Sequence, residues 1–415
     1  MPERGTIDFS LSEMEFWKRP LPERAAAFAR LREQARPLFF EEVDYGTIPP
    51  GPGYYALVRH ADVVEASRDA KVFASTPSAI SKQDLPTEYN EYFGSMINMD
   101  DPKHATIRRI VSRAFAPRML QRFQDQIRET STRIVDDLLD TGPGDFVTQV
   151  AARLPLKFIC DMMGIPERDH PMVLELTNTI VGGFDPELLS ENAAERVGRV
   201  LGAGQAMHDL ARELAEFRRK TPADDLTSAL VNANVDGEAL TDQELGAFFT
   251  LLAVAGNETT RNAISYALIL LTDNPAQRAL LTGDLGKHLP GATEEIVRLS
   301  SPVMWMRRTL TCDHELNGHP FRTGDKVLLF YWSANRDAEV FDRPEEFDIT
   351  RRPNPHVGYG GAGVHFCLGA QLARTEITVL LRELLGRLPD IRADGEPDLL
   401  RSSFINGVKH LPCKF

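Results

Sequence analysis

The sequence predicts a mainly α protein with small β-sheets, on three observations. Helical periodicity dominates the middle of the 415-residue chain. Glycine and proline gather instead near its two ends, at Pro49 to Gly53 and from Pro353 to Gly363. Two short runs, Tyr54 to Arg59 and Lys326 to Tyr331, are rich in aromatic and aliphatic residues and suit strands. Neither repeats nor a long linker interrupt the chain, so residues 1–415 are expected to form a single domain.

The most regular element is a helix opening at Thr241. Thr241 and Glu244 have the spacing of a capping box, in which each side chain bonds the other residue's backbone N–H. Leu245, Phe248, Phe249, Leu252 and Val254 follow as apolar positions, and Asn274-Pro275 is the expected stop. A span of roughly 32 residues makes a rod of about 48 Å, long enough to run through a core.

Within this helix, Ala255-Gly256-Asn257-Glu258-Thr259-Thr260 departs from what stability alone favours. Glycine and two β-branched residues weaken helical propensity, and an acid interrupts the apolar pattern. Thr259 can bond back to a carbonyl one turn earlier while Glu258 is solvated. Alternatively the helix opens locally, and a hydroxyl and a carboxylate stand ready to pass protons.

Composition narrows the function. Hydrophobic residues at 42% and charged residues at 26% belong to a folded globular chain. The opening MPERGTIDFSLSEMEF mixes acids, bases and isolated apolar positions. The longest apolar stretches, 248–255 and 267–271, fall far short of the roughly 20 residues of a bilayer crossing. A cytoplasmic protein without a membrane span is therefore expected. A net charge of −13 argues against nucleic acid. Lys103, Arg108, Arg109, Arg113, Arg118 and Arg122 nevertheless form an acid-free basic stretch, either a solvated helix face or a docking face for an acidic partner. Cys160, Cys312, Cys367 and Cys413 are scattered without a CxxC pair, against a zinc ribbon or a disulfide framework.

Two further patterns carry chemistry. Glu295 and Arg298 share one helix face at i,i+3, which read alone is an ordinary surface pair. The run Tyr359-Gly360-Gly361-Ala362-Gly363-Val364-His365-Phe366-Cys367-Leu368-Gly369 precedes a helical pattern from Ala370 to Leu381. Its glycines let backbone approach a flat ligand, and free amides beside a helix N-terminus favour a thiolate on Cys367. By itself Cys367 could be an inert buried thiol, or could join His365 on zinc, although no second pair completes four ligands.

Together these segments resemble the soluble bacterial class of cytochromes P450. The glycine-rich run is similar to that family's cysteine-ligand loop. Glu258 and Thr259 match the acid and alcohol of its long central helix, Glu295 and Arg298 its ExxR, and Arg351 in Phe347-Asp348-Ile349-Thr350-Arg351 the partner in its meander. One position departs from the pattern: the usual phenylalanine seven residues before the cysteine is Gly360.

The resemblance implies a P450 fold, a triangular helical prism with a helix-rich lobe and a smaller β-containing lobe. It implies haem b ligated by Cys367, with His104, Arg108, Arg308 and His365 at the propionates and with Gly369 and Ala255 against the cofactor. Thr259, with Glu258 behind it, becomes the catalytic proton relay, and Glu295, Arg298 and Arg351 become structural. The implied reaction inserts one oxygen atom from O2 into a C–H bond. Electrons would come from NAD(P)H through ferredoxin reductase and ferredoxin, since the chain has neither a flavin domain nor a nicotinamide fingerprint. The basic stretch around Arg109 and Arg113 would help dock that ferredoxin, and a monomer is expected.

Substrate contacts implied by resemblance are Ile97, Met99, Ile180, Phe184, Leu251, Ala255, Val303, Met304, Trp305, Phe404 and Ile405. These residues are largely apolar, which favours a fatty acid, branched lipid, steroid or terpenoid. The 255–262 and 306–310 segments resemble actinobacterial members acting on branched lipids or sterol side chains. A macrolide or polyketide substrate, an oxygen-independent peroxygenase or isomerase, and a haem-binding sensor or carrier are the alternatives. Glu258 and Thr259 argue against the oxygen-independent enzymes.

Overall fold

The computed structural model describes residues 7–46, 48–86, 89, 92–112, 117–182, 185–188, 192–232 and 239–415, with backbone alone over 117–122. The long helix runs over Asp242–Asp273, one residue inside the expected bounds at each end. Thr241 Oγ1 accepts the Glu244 N–H at 3.1 Å and a Glu244 carboxylate oxygen accepts the Thr241 N–H at 3.0 Å, so the capping box is closed. Asn274 ends the helix and Pro275 opens the next, where its missing N–H costs nothing.

This central helix packs against helices Arg153–Met163, Ala193–Lys220, Leu285–Ser300 and Ala370–Arg387. Phe248, Phe249, Ile264, Ala267 and Leu268 are buried among side chains from all four neighbours, which is why the element is apolar over most of its circumference. Among the described residues, no helix is long and apolar enough to cross a membrane.

The strands are short: β1 (Leu38–Phe40), β2 (Tyr54–Leu57), β3 (Phe73–Ala74), β4 (Met306–Leu310), the hairpin β5 (His314–Leu316) and β6 (His319–Phe321), and β7 (Lys326–Leu329). β1, β2, β7, β4 and β3 form one sheet in that order. The two runs expected as strands are its parallel pair, with Tyr55 opposite Val327 and Leu57 opposite Leu329. Parallel strands buried on both faces need continuous apolar side chains, and β7 is buried throughout. One face of the sheet covers helix His60–Arg68; the other meets an aromatic cluster of Phe16, Trp17, Phe28, Trp305, Phe330 and Trp332.

Candidate active site

The central helix shows no opening at 255–260; it is α-helical throughout. Thr259 Oγ1 donates to the Ala255 carbonyl oxygen at 2.9 Å, the local back-bond open to any mid-helix threonine. Glu258 is not solvated either: it is buried, and its carboxylate accepts from Arg261 Nη2 at 2.6 Å, while Arg261 Nη1 reaches Asn178 Oδ1 at 2.9 Å. Burial raises the Glu258 carboxyl above its ordinary range, with the Arg261 charge opposing. Leu251, Val254, Ala255 and Thr259, spaced three and four apart, form the one accessible stripe on this part of the helix.

The cysteine loop lies against helix His60–Arg68. A Cβ on Gly363 would stand 2.0 Å from the Ser67 carbonyl oxygen, so only glycine permits this approach. Gly360 has φ +88°, a left-handed backbone that a phenylalanine would strain, which accounts for the departure from the family pattern. The preceding Tyr359 carbonyl accepts the Cys367 N–H at 3.0 Å, and the Tyr359 ring lies 4.2 Å beneath the Arg374 guanidinium.

Cys367 keeps accessible surface. Burial raises its thiol above the ordinary range despite the Gly369 N–H and the charges of Arg108 and Arg374. The Gly369 N–H and the two arginine charges act in the expected direction, toward the thiolate, and burial opposes them. A Cβ on Gly369 would meet nothing within 4 Å.

Beside this loop stand two arginines and two histidines. Arg108 Nη2 donates to the Phe366 carbonyl at 2.7 Å, and buried Arg308 donates to the Arg307 carbonyl at 2.7 Å, without an ion-pair partner among the described residues. The His104 and His365 rings are 4.2 Å apart. His365 Nε2 meets Ser75 Oγ at 2.9 Å, whereas His104 Nε2 is buried without a partner. Burial pushes His365 down to about 3, aided by the Arg308 charge, and lowers His104 as well. Both rings are therefore neutral near pH 7, and the surplus charge of the group is positive.

Glu295 and Arg298 are completely buried, not a surface pair. Arg298 donates twice to Glu295, at 2.8 and 2.7 Å, and also to the carbonyls of Asn335, Pro344 and Glu346. Glu295 further accepts from Arg351 Nε at 3.1 Å, Asn354 Nδ2 at 3.0 Å and the Asp348 N–H at 3.1 Å. One ion pair thus fixes residues 335–354, the stretch leading into the cysteine loop.

A cavity of about 340 Å³ lies along the accessible stripe of the central helix. Of the expected contacts, Ile97, Ile180, Leu251, Ala255, Val303, Trp305, Phe404 and Ile405 line it, together with Glu258 and Thr259. Met304 does not: it is 1% exposed, in the aromatic cluster behind Trp305. Met99 is also absent from the wall and packs on the main core. Phe184 lies outside the described residues. Lining residues that the sequence reading missed are Val254, Met306, Ser402 and Ser403, and a group from distant segments, Ser12, Met14, Glu42, Val43, Tyr45 and Lys82. Only β2–β7 pairing and the N-terminal packing bring that group here, so no local pattern marks it.

The family pattern described as cytochrome P450 matches residues 47–389. The chain belongs to the cytochrome P450 family. It is accordingly a P450 monooxygenase. This P450 is 46% identical over 415 residues to a methyl-branched lipid omega-hydroxylase of Mycobacterium tuberculosis, covering 99% of this chain and 95% of that one. It is 37% identical over 409 residues to a steroid C26-monooxygenase of Mycolicibacterium smegmatis, covering 97% and 92%. A Mycobacterium marinum cytochrome P450 solved in complex with pseudoionone superimposes with a TM-score of 0.94 at 42% identity, covering both chains fully.

The residues present fit the haem of a P450. The group carries two carboxylates, and Arg108 and the buried Arg308, which has no ion-pair partner among the described residues, are cations beside the loop, while His104 Nε2 lies buried there without a hydrogen-bond partner. Ala255 and Gly369 leave open surface on facing elements, and Cys367 supplies a sulfur whose ionisation a metal would stabilise.

Proposed function

We propose that this P450 hydroxylates a methyl-branched lipid or sterol side chain, receiving electrons from NAD(P)H through a ferredoxin reductase and a ferredoxin. The observation that carries this reading is the cavity beside Thr259, whose central-helix stripe and 303–306 wall present mainly apolar side chains to the site. The named activities of the 46% and 37% identical relatives support the same class.

In this reading Cys367 ligates the haem iron, His104, Arg108, Arg308 and His365 hold the propionates, and Glu295, Arg298 and Arg351 brace the loop that presents the cysteine. When bound, thiolate-ligated haem activates O2 and inserts one oxygen atom into a substrate C–H bond. The chain supplies the proton path. Thr259 holds its hydroxyl at the cavity wall, and rotation about χ1 turns it from the Ala255 carbonyl toward the cavity. Glu258 behind it keeps a proton to higher pH than an exposed glutamate, and Arg261 fixes its carboxylate against Asn178.

Of the basic stretch, Lys103 pairs with Glu244 at 2.9 Å, and Arg108 stands behind the exposed Phe366. The side chains of Arg113, Arg118 and Arg122 lie outside the described residues. A ferredoxin docks on this face, so raising the salt concentration weakens the complex.

The test is a titration of the haem-loaded protein with a methyl-branched lipid, a sterol and a macrolide, followed by their turnover with a reconstituted redox chain. Soret shifts and hydroxylation are expected with the first two. A shift and product with the macrolide alone would overturn the assignment.

A further inference from the structure

The cavity wall is not uniformly apolar. Lys82 lines the cavity and is partly buried. Its ammonium donates to the Leu11 carbonyl at 3.0 Å and stands 5.7 Å from the Trp17 ring, 5.9 Å from Tyr54 and 5.9 Å from Trp305. An ammonium carries three donors, and one carbonyl does not satisfy them.

The surrounding charges do not balance. Glu42 is engaged by Lys326 at 2.5 Å and by the Gly51 N–H at 2.7 Å. Asp84 is engaged by Arg307 at 2.5 Å, with Lys326 at 3.9 Å. Lys326 and Arg307 also donate to the Lys82 carbonyl, each at 3.2 Å, fixing this residue's backbone. Two carboxylates therefore face three cations, and Lys82 is the cation left without an ion-pair partner among the described residues. Burial pushes it down to about 7, with the Glu42 charge opposing. A buried, under-compensated ammonium is costly unless an anion meets it.

We propose that Lys82 is the substrate's anchoring residue: it binds the carboxylate of a branched-chain fatty acid and so directs the apolar end of that acid to the central-helix wall. This rests on the lipid reading above and narrows it. A singly charged head matches the single uncompensated cation, whereas a phosphate dianion would leave net negative charge beside Glu42. Ser12, Tyr45 and Gln83 share the same wall, while the central helix contributes Leu251, Val254, Ala255 and Thr259. A molecule with one polar and one apolar end is held in one direction, and oxidation falls on the methyl end.

The test compares wild type with Lys82→Met, which keeps the length of the side chain and removes its charge. Dissociation constants are measured from the Soret shift for a methyl-branched fatty acid and for its methyl ester, and hydroxylation positions are mapped by mass spectrometry. In wild type the acid is expected to bind at least about tenfold tighter than the ester, the ratio that one buried charged hydrogen bond supports. Lys82→Met brings the acid to the ester's affinity, leaves the ester within about twofold, and spreads hydroxylation from the terminus into the chain.

Binding of the ester without an advantage for the acid overturns this inference alone. Failure of acid and ester alike overturns the lipid reading and this inference with it. If Lys82 only tethers Leu11, the substitution lowers the thermal midpoint and moves both ligands equally, which also refutes the anchor. Lys82→Arg, which keeps the charge, restores the preference for the acid if the anchor is real.

Discussion

The two sides of the central helix are built on different principles. Around Glu295, Arg298 and the cysteine loop, buried polar groups are tied to partners far along the chain, and one ion pair holds backbone from Asn335 to Asn354. Around the cavity, the wall is drawn from several separate segments, and its polar groups include an ammonium without an ion-pair partner among the described residues. The first region is over-determined, so that the cysteine loop keeps its place. The second is assembled from replaceable side chains, so its shape can alter without disturbing the first. Reaction type is therefore lodged in the frame and substrate choice in the wall.

That contrast can be broken at four points. The largest effect is expected from Cys367→Ser: the reduced carbon monoxide complex should lose its red-shifted Soret band, and turnover should fall to background. A variant keeping the band would remove the sulfur from the centre of the frame. Next comes Arg298→Ala, which removes two of the donors to the buried Glu295 carboxylate and the Arg298 donors to the carbonyls of Asn335, Pro344 and Glu346. Removing one member of such a pair costs about 3–5 kcal/mol, read as a lower denaturant midpoint together with lost haem retention. An unchanged midpoint would show that the frame is not over-determined.

Thr259→Ala lies on the boundary between the two regions. It should leave folding and haem content intact while product formation drops by about 10²-fold and reducing equivalents appear as hydrogen peroxide. Full coupling in this variant would place the proton path elsewhere.

The smallest effect concerns Glu376, buried on helix Ala370–Arg387 and bonded by Thr260 of the central helix. Burial raises it to about 8, against Thr260 lowering it. Because the folded value is raised, the native state holds a proton that the unfolded chain releases above about 4.5. This contribution to stability is complete below that pH and is lost as pH rises toward about 8. The thermal midpoint of Glu376→Gln should therefore gain on that of wild type across this window and level off above it. A difference that is flat with pH would show that the carboxyl is already ionised in the fold.

Much of the frame was legible locally. Thr241, Glu244 and Pro275 gave the central helix its ends because caps act within a few residues. The glycines before Cys367 announced a close approach, and Gly363 against Ser67 is one. The spacing of Glu295 and Arg298 placed them on one face, yet could not distinguish an exposed pair from a buried one, since the carbonyls that decide it lie about 40 residues away. Thr259 and Glu258 stand out in the sequence with two readings open: Thr259 makes the back-bond to Ala255 that one of them gave, while Glu258, solvated in that reading, is buried against Arg261, and the helix opening of the other does not occur.

The cavity was the least legible part. Met304 and Trp305 are neighbours of similar character, yet only Trp305 lines the cavity while Met304 is packed in the aromatic cluster. Lys82 carries no signal in the sequence, because nothing within its own segment reveals that Leu11, Trp17 and Trp305 will surround it.

The sequence by itself determined the glycine-rich cysteine loop, the capped central helix, the glycine positions and the identity of the buried ion pair. Each depends on residue type and short spacing. Only the tertiary structure decided that burial opposes ionisation of Cys367, that Glu258 is buried, and that Lys82 lines the cavity without an ion-pair partner among the described residues. Desolvation and charge balance are sums over everything that surrounds a group, and those surroundings come from segments far apart in the chain.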